Sequence, residues 1–160
     1  MNATSWSLLL SVWLVSGCAG GPATLKRNLD GAVEPAEGMR GHVVVLTFWA
    51  EWCKPCLEEF PVILSELANA SQDVELRAVY YREDPGPRSA VYRWLGEHPE
   101  LAEKTWWPSA AMLARFNIRQ LPQTRVLAAD GTVVRTFDGA IVGPRAAEFR
   151  DALARARSGS

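Results

Sequence analysis

With three cysteines and two histidines, the 160-residue chain offers few ligands to a structural zinc ion. A closed structural zinc site needs four ligands, and Cys18, His42 and His98 do not stand at ligand spacing from the remaining pair, Cys53 and Cys56. No resident metal is expected. Excess positive charge is also missing: 17 Lys and Arg face 18 Asp and Glu, a formal net charge of −1. Without a basic cluster, nucleic acid is not an expected partner. The arginines near the end, Arg145, Arg150, Arg155 and Arg157, alternate with Glu148 and Asp151 in the manner of a solvated helix face. There is no internal repeat. With 48% hydrophobic and 22% charged residues, the length fills one core but hardly two.

What is present is concentrated in Phe48-Trp49-Ala50-Glu51-Trp52-Cys53-Lys54-Pro55-Cys56, which ends the apolar run starting at Val43. Two thiols separated by two residues, at a junction from strand to helix, suit a redox pair rather than half of a metal site. The first turn of a helix has unpaired N–H groups and the positive end of the dipole, so a thiolate at Cys53 is stabilised there. Such thiols titrate between about 3.5 and 7.5 instead of near 8.5. Cys56, one turn on, is then the buried resolving thiol that attacks a mixed disulfide and closes the Cys53–Cys56 bond. Pro55 suits a helix start, where its missing N–H costs nothing. Lys54 adds a cation beside the thiolate.

That segment resembles the active site of thioredoxins, and Glu59-Phe60-Pro61 after it is similar to the TlpA/ResA-like branch. This branch comprises bacterial extracytoplasmic thioredoxins, cytochrome c maturation reductases among them. The resemblance runs from about Leu25 to Leu153. It implies a thioredoxin-like α/β fold, a mixed central sheet flanked by helices, with an added N-terminal hairpin or strand. It also implies a redox-active cysteine pair with no further cofactor, Trp52 on the rim where a partner docks, and a cis Pro122. In such folds that proline lies beside the disulfide and the residue before it, here Leu121, offers backbone hydrogen bonds to an extended substrate. From sequence alone Pro122 is an ordinary loop proline, since only about 5–6% of X–Pro bonds are cis. Gln123 and Arg125 are more polar than is usual after that proline and point to a role in choosing a partner.

Glu59 follows Cys56 by three residues, so on a helix the two side chains lie on neighbouring faces. The branch places a glutamate here near the disulfide, tuning proton transfer to the thiols. The competing reading is a surface glutamate in the first turns, held by the helix dipole as Glu58 is. Thr47 sharpens the question, because cytoplasmic-type thioredoxins carry a buried aspartate at this place. A threonine can donate or accept a hydrogen bond but is no general base near pH 7. Glu59 is the nearest carboxylate able to substitute, with Glu51 expected to point outward.

The first residues are read as an address. The apolar core Leu8–Val15 is too short to span a bilayer, and Val15-Ser16-Gly17-Cys18 resembles a lipobox, although no Lys or Arg precedes the apolar core. The expected organisation is a signal peptide over 1–17, acylated Cys18 with a tether over 18–23, a thioredoxin-like domain over 24–157 and a tail over 158–160. A buried N-terminal helix is the alternative. Acyl chains on Cys18 would anchor the domain to a membrane surface on the periplasmic side. By resemblance to lipoproteins, where an aspartate after the cysteine holds the protein in an inner membrane, Ala19 points to an outer membrane ahead of an inner one in a host with two membranes.

Periodicity supplies the rest. A hairpin or strand is expected over Leu25–Val33, and a strand buried on both faces over Val43–Trp49. A helix follows with Leu57, Phe60, Leu64 and Leu67 at helical spacing and Pro61 bending it. The next strand is Val74–Tyr81, then a helix over Ser89–Glu97 presenting Val91, Trp94 and Leu95. Trp106-Trp107-Pro108 is either a core cap or an exposed docking ridge. Ser109 caps a short helix with Met112, Leu113 and Phe116. Strands at Thr124–Ala129 and Thr132–Phe137 join through Asp130-Gly131. A last helix opens at Gly143-Pro144 with Ala146, Phe149, Leu153 and Ala156 on one face.

The function expected is reduction of disulfides in extracytoplasmic partner proteins by a monomer drawing electrons from a membrane thiol-transfer donor. Two alternatives stand beside it: an oxidant that donates disulfides, and a carrier of copper(I), a soft ion suited to thiolates.

Overall fold

The computed structural model describes residues 41–70, 73–81, 88–108 and 110–159. The expected signal segment, Cys18, the hairpin at Leu25–Val33 and the Ser109 cap fall outside them.

Strand β1 (Val43–Trp49) is the centre of the molecule, and each of its residues is buried. Its β-branched and aromatic side chains suit a pleated surface covered from both sides. The helix α1 (Lys54–Asn69) carries the chain over to β2 (Val74–Tyr80), which pairs with β1 in parallel. Helix α2 (Ser89–Glu97) follows, then the single turn α3 (Pro99–Ala102) and a two-residue strand β3 (Thr105–Trp106) parallel to β2. After α4 (Ala110–Phe116), β4 (Gln123–Leu127) lies antiparallel to β1 and leads into β5 (Val133–Asp138). Helix α5 (Arg145–Ser158) ends the fold. The sheet order is β3-β2-β1-β4-β5, the mixed α/β arrangement expected.

The two faces of β1 feed different cores. Val43, Val45 and Trp49 pack with Phe60 and Ile63 of α1 and with Phe149 and Leu153 of α5. Val44, Leu46 and Phe48 pack with Val79, Leu127 and Phe116 at the end of α4. Asp130-Gly131 turns the β4–β5 hairpin, with Gly131 at φ +85° and the Asp130 carboxylate accepting from Thr132 N at 2.8 Å. A left-handed φ of that size is where glycine costs least.

Helix α1 buries Cys56, Glu59, Phe60 and Ile63, while Leu57, Leu64 and Leu67 sit only partly covered at the core's edge. The helix also runs on through Pro61. The Trp106-Trp107 segment is a packed edge: Trp106 lies in β3, and Trp107 stacks on Tyr80 with centroids 5.1 Å apart. Neither α3 nor β3 was anticipated, since elements this short leave no periodicity to read.

Candidate active site

Strand β1 delivers the backbone through Ala50, Glu51 and Trp52 to Cys53, which caps α1 with an extended backbone, φ −83° and ψ 91°. Its Sγ accepts from Cys56 N at 3.3 Å, an N–H of the first helical turn that also donates to Cys53 O at 2.9 Å. The two sulfurs are bonded at 2.01 Å, with Cα atoms 5.3 Å apart. Cys56 is fully buried, while Cys53 keeps 4% of its surface exposed. Trp52, next to Cys53, stands out at 66% exposure. Glu51 is only half outward, because Tyr80 Oη donates to its Oε2 at 2.6 Å.

The Leu121–Pro122 peptide is cis. Pro122 is buried, Leu121 is half-buried between the two cores, and Pro122 O accepts from Gly139 N at 2.9 Å. Since Gln123 pairs with Phe48, the cis peptide lies at the same end of the sheet as the disulfide.

Glu59 is not a surface glutamate. It is fully buried, and both its oxygens are engaged. Thr47 Oγ1 donates to Oε1 at 2.9 Å, and Ile141 N donates to Oε2 at 3.0 Å. Thr124 Oγ1 lies 3.2 Å from the same Oε1 and 2.7 Å from Thr47 Oγ1. A hydroxyl has one proton, so Thr124 serves one of those acceptors at a time. Burial pushes the carboxyl up from its ordinary 4.5 to about 7, against the opposing pull of the Ile141, Thr47 and Thr124 hydrogen bonds and the Arg145 charge. Desolvation therefore outweighs all its partners together. Arg145 donates from Nη1 to the carbonyls of Gly139 and Ala140, 3.0 Å each, and so ties down the loop that presents Ile141 N.

Thr124, Ile141 and Arg145 went unread in the sequence as members of this site. Thr124 lies 65 residues from Glu59, and Ile141 lies 82 away and contributes only its backbone. One signal existed for Thr124: antiparallel pairing opposite Thr47 puts both hydroxyls on one face of the sheet.

A C-x-x-C disulfide at the head of a helix, on this scaffold, sets the class: the protein is a thiol–disulfide oxidoreductase of thioredoxin-like fold. A match of residues 21–153 to the Redoxin model extends over most of the sequence, and the chain belongs to the Redoxin family. It is similar to thiol-disulfide oxidoreductase ResA of Bacillus subtilis, 25% identical over 126 residues, 78% of this chain and 69% of that protein. Among solved structures it resembles StoA from Bacillus subtilis, with TM-score 0.59 and 23% identity over 71% of this chain and 83% of that one. A secreted disulfide oxidoreductase of Mycobacterium tuberculosis superposes with TM-score 0.56 and 24% identity, covering 74% of this chain and 84% of its own.

Proposed function

We propose that the reduced Cys53/Cys56 pair reduces disulfides of partner proteins outside the cytoplasm. The Cys53 thiolate attacks one sulfur of the partner's disulfide, forming a mixed disulfide and releasing the partner's other sulfur as a thiolate. Cys56, deprotonated, then attacks Cys53 Sγ; the Cys53–Cys56 bond forms and the partner leaves as a dithiol. Two electrons pass to the partner, and two protons end on its thiols. The observation that carries the exchange, whichever way the electrons run, is the Cys53 sulfur at the head of α1, 3.3 Å from Cys56 N, where a negative sulfur is stabilised.

Glu59 takes the proton that Cys56 must lose. It lies one helical turn beyond Cys56 and titrates near pH 7, where a proton can move in either direction. Thr47 stands where a buried acid is lacking and instead holds the acid that replaces it. Trp52, Leu121 and Pro122 form the docking edge. The lipobox-like Val15–Cys18 supports export and acylation at Cys18, which would leave a membrane thiol-transfer protein as the electron donor.

Trapping tests the reading. The Cys56→Ala protein should accumulate a mixed disulfide between Cys53 and its substrate, visible as a reductant-sensitive band; absence of any adduct would sink the assignment. The same sulfur-to-N–H contact also favours a donor of disulfides, because stabilising the thiolate stabilises the reduced form. A potential near roughly −120 mV would select that reading, and one near −270 mV the reductase.

A further inference from the structure

Strand β4 has a second polar face, opposite Thr124 and Glu59. Leu46 pairs with Arg125 and Phe48 with Gln123, so these two side chains share the α4 side of the sheet. There they line an open groove of about 530 Å³ with Arg115, Phe116, Arg119 and Asp138. Buried Phe116 forms its floor, with Arg125 4.7 Å and Arg115 5.4 Å from the ring centroid. Arg125 is fixed, donating to Phe116 O at 2.5 Å and Gln123 Oε1 at 2.9 Å. Gln123 Nε2 in turn donates to Asp138 at 2.7 Å, occupying the groove's one carboxylate.

Three guanidinium groups thus face a single acid, whose charge acts on Arg125. Arg115 and Arg119 are exposed, and neither has a carboxylate partner among the described residues. The groove opens at the residue directly after the cis Pro122, so it flanks any polypeptide held along that edge with its cysteine at Cys53.

We propose that this groove receives an acidic stretch of the substrate protein, flanking the disulfide under attack, and so selects which disulfides are reduced. The proposal rests on the exchange reaction above and names the partner chemistry for it. Guanidinium forks match carboxylates in geometry as well as charge. Their spread over α4, the following loop and β4 suits several carboxylates on one extended segment better than a single small anion. Charge of this kind chiefly raises the rate of encounter and is weakened by salt.

The test uses the reduced full chain and two disulfide-bonded peptides, identical except that Asp and Glu flanking the cysteine in one are Asn and Gln in the other. The acidic peptide should be reduced about threefold faster or more at low ionic strength. That ratio should fall toward one in 0.5 M NaCl, and also in the Arg115→Gln/Arg119→Gln protein, whose substitutions are at exposed positions. Equal rates for both peptides in the unmodified protein would overturn the groove's role while leaving exchange intact. So would a preference that survives both salt and substitution. Failure to reduce either peptide, or a small disulfide, would instead overturn the exchange reading and this one with it.

Discussion

The two faces of β4 carry polar clusters of opposite character. On one, Thr124 and Thr47 close over Glu59, sealed from water. On the other, Arg125, Arg115 and Arg119 ring a groove open to it. The sealed face holds one carboxylate, and its ionisation is moved to about pH 7 although three hydrogen bonds and a nearby arginine oppose the move. The open face holds three cations close together, and half-buried Arg125 is shifted downward, again led by desolvation, against the pull of the Asp138 charge. Access to water, more than the number of charges, decides how far a group is perturbed. In the exchange proposed above, Glu59 would accept a proton near neutrality and the arginines would supply a field that water keeps adjustable.

Removing the buried charge is the strongest way to break this contrast. A carboxyl whose folded value is raised binds a proton on folding, so its neutral form is fully accommodated below pH 4.5 and stability is lost as pH rises through about 7. The loss above that range is on the order of 3 kcal/mol. Glu59→Gln keeps an oxygen for Ile141 N and an amide for the threonine hydroxyls. It should match the unmodified protein in stability near pH 4 and exceed it at pH 8 by most of that amount, in denaturant titrations at the two pH values. Its disulfide exchange should be slower and should lose the inflection near neutral pH. An unchanged slope of stability against pH would mean that Glu59 is not held as described.

A smaller effect separates desolvation from hydrogen bonding. Thr47→Val keeps the volume but removes one donor that lowers the Glu59 value. The inflection of the exchange rate should therefore move to higher pH, and stability at alkaline pH should fall by roughly 1–3 kcal/mol. If the inflection moves down, the hydroxyl is not donating to the carboxylate.

How much of this arrangement could be read from the sequence follows from how local each part is. Strand β1, the hairpin at Asp130-Gly131 and the cysteine pair announce themselves within a few residues. Apolar continuity, a left-handed turn and thiol spacing are short-range facts. Glu59 was legible as a candidate but not as a buried group. Of the stripe Leu57, Phe60, Leu64 and Leu67 only Phe60 is buried, and beside the expected Cys56 the helix turns Glu59 and Ile63 inward. What makes that orientation tolerable is supplied by Thr47, Thr124 and Ile141, between 12 and 82 residues away. The cis Pro122 was expected from resemblance alone. The arginine groove was hinted at by Gln123 and Arg125, but its assembly needs the chain to double back after α4. Asn117 permits that return at φ 45°, with its N–H closing the helix on Leu113 O at 3.0 Å. Asparagine is among the few residues that take a left-handed backbone readily, a signal too common to identify a groove.

The smallest effect is expected on the open face, and it bears on the contrast most directly. Arg119 is exposed and has no carboxylate partner among the described residues. Its charge is hydrated in the folded chain much as in the unfolded one, so Arg119→Gln should change stability by no more than about 0.5 kcal/mol. The sealed site lies across the sheet, and the groove side of its strand is solvated. Charge removed at Arg119 should be screened before it reaches Glu59, leaving the midpoint of the pH-dependent stability loss where it was. A titration of stability from pH 4 to 9 in this variant, beside the unmodified protein, checks both statements. A displaced midpoint would show that the two faces of β4 share one electrostatic environment, and the separation drawn between them would fail.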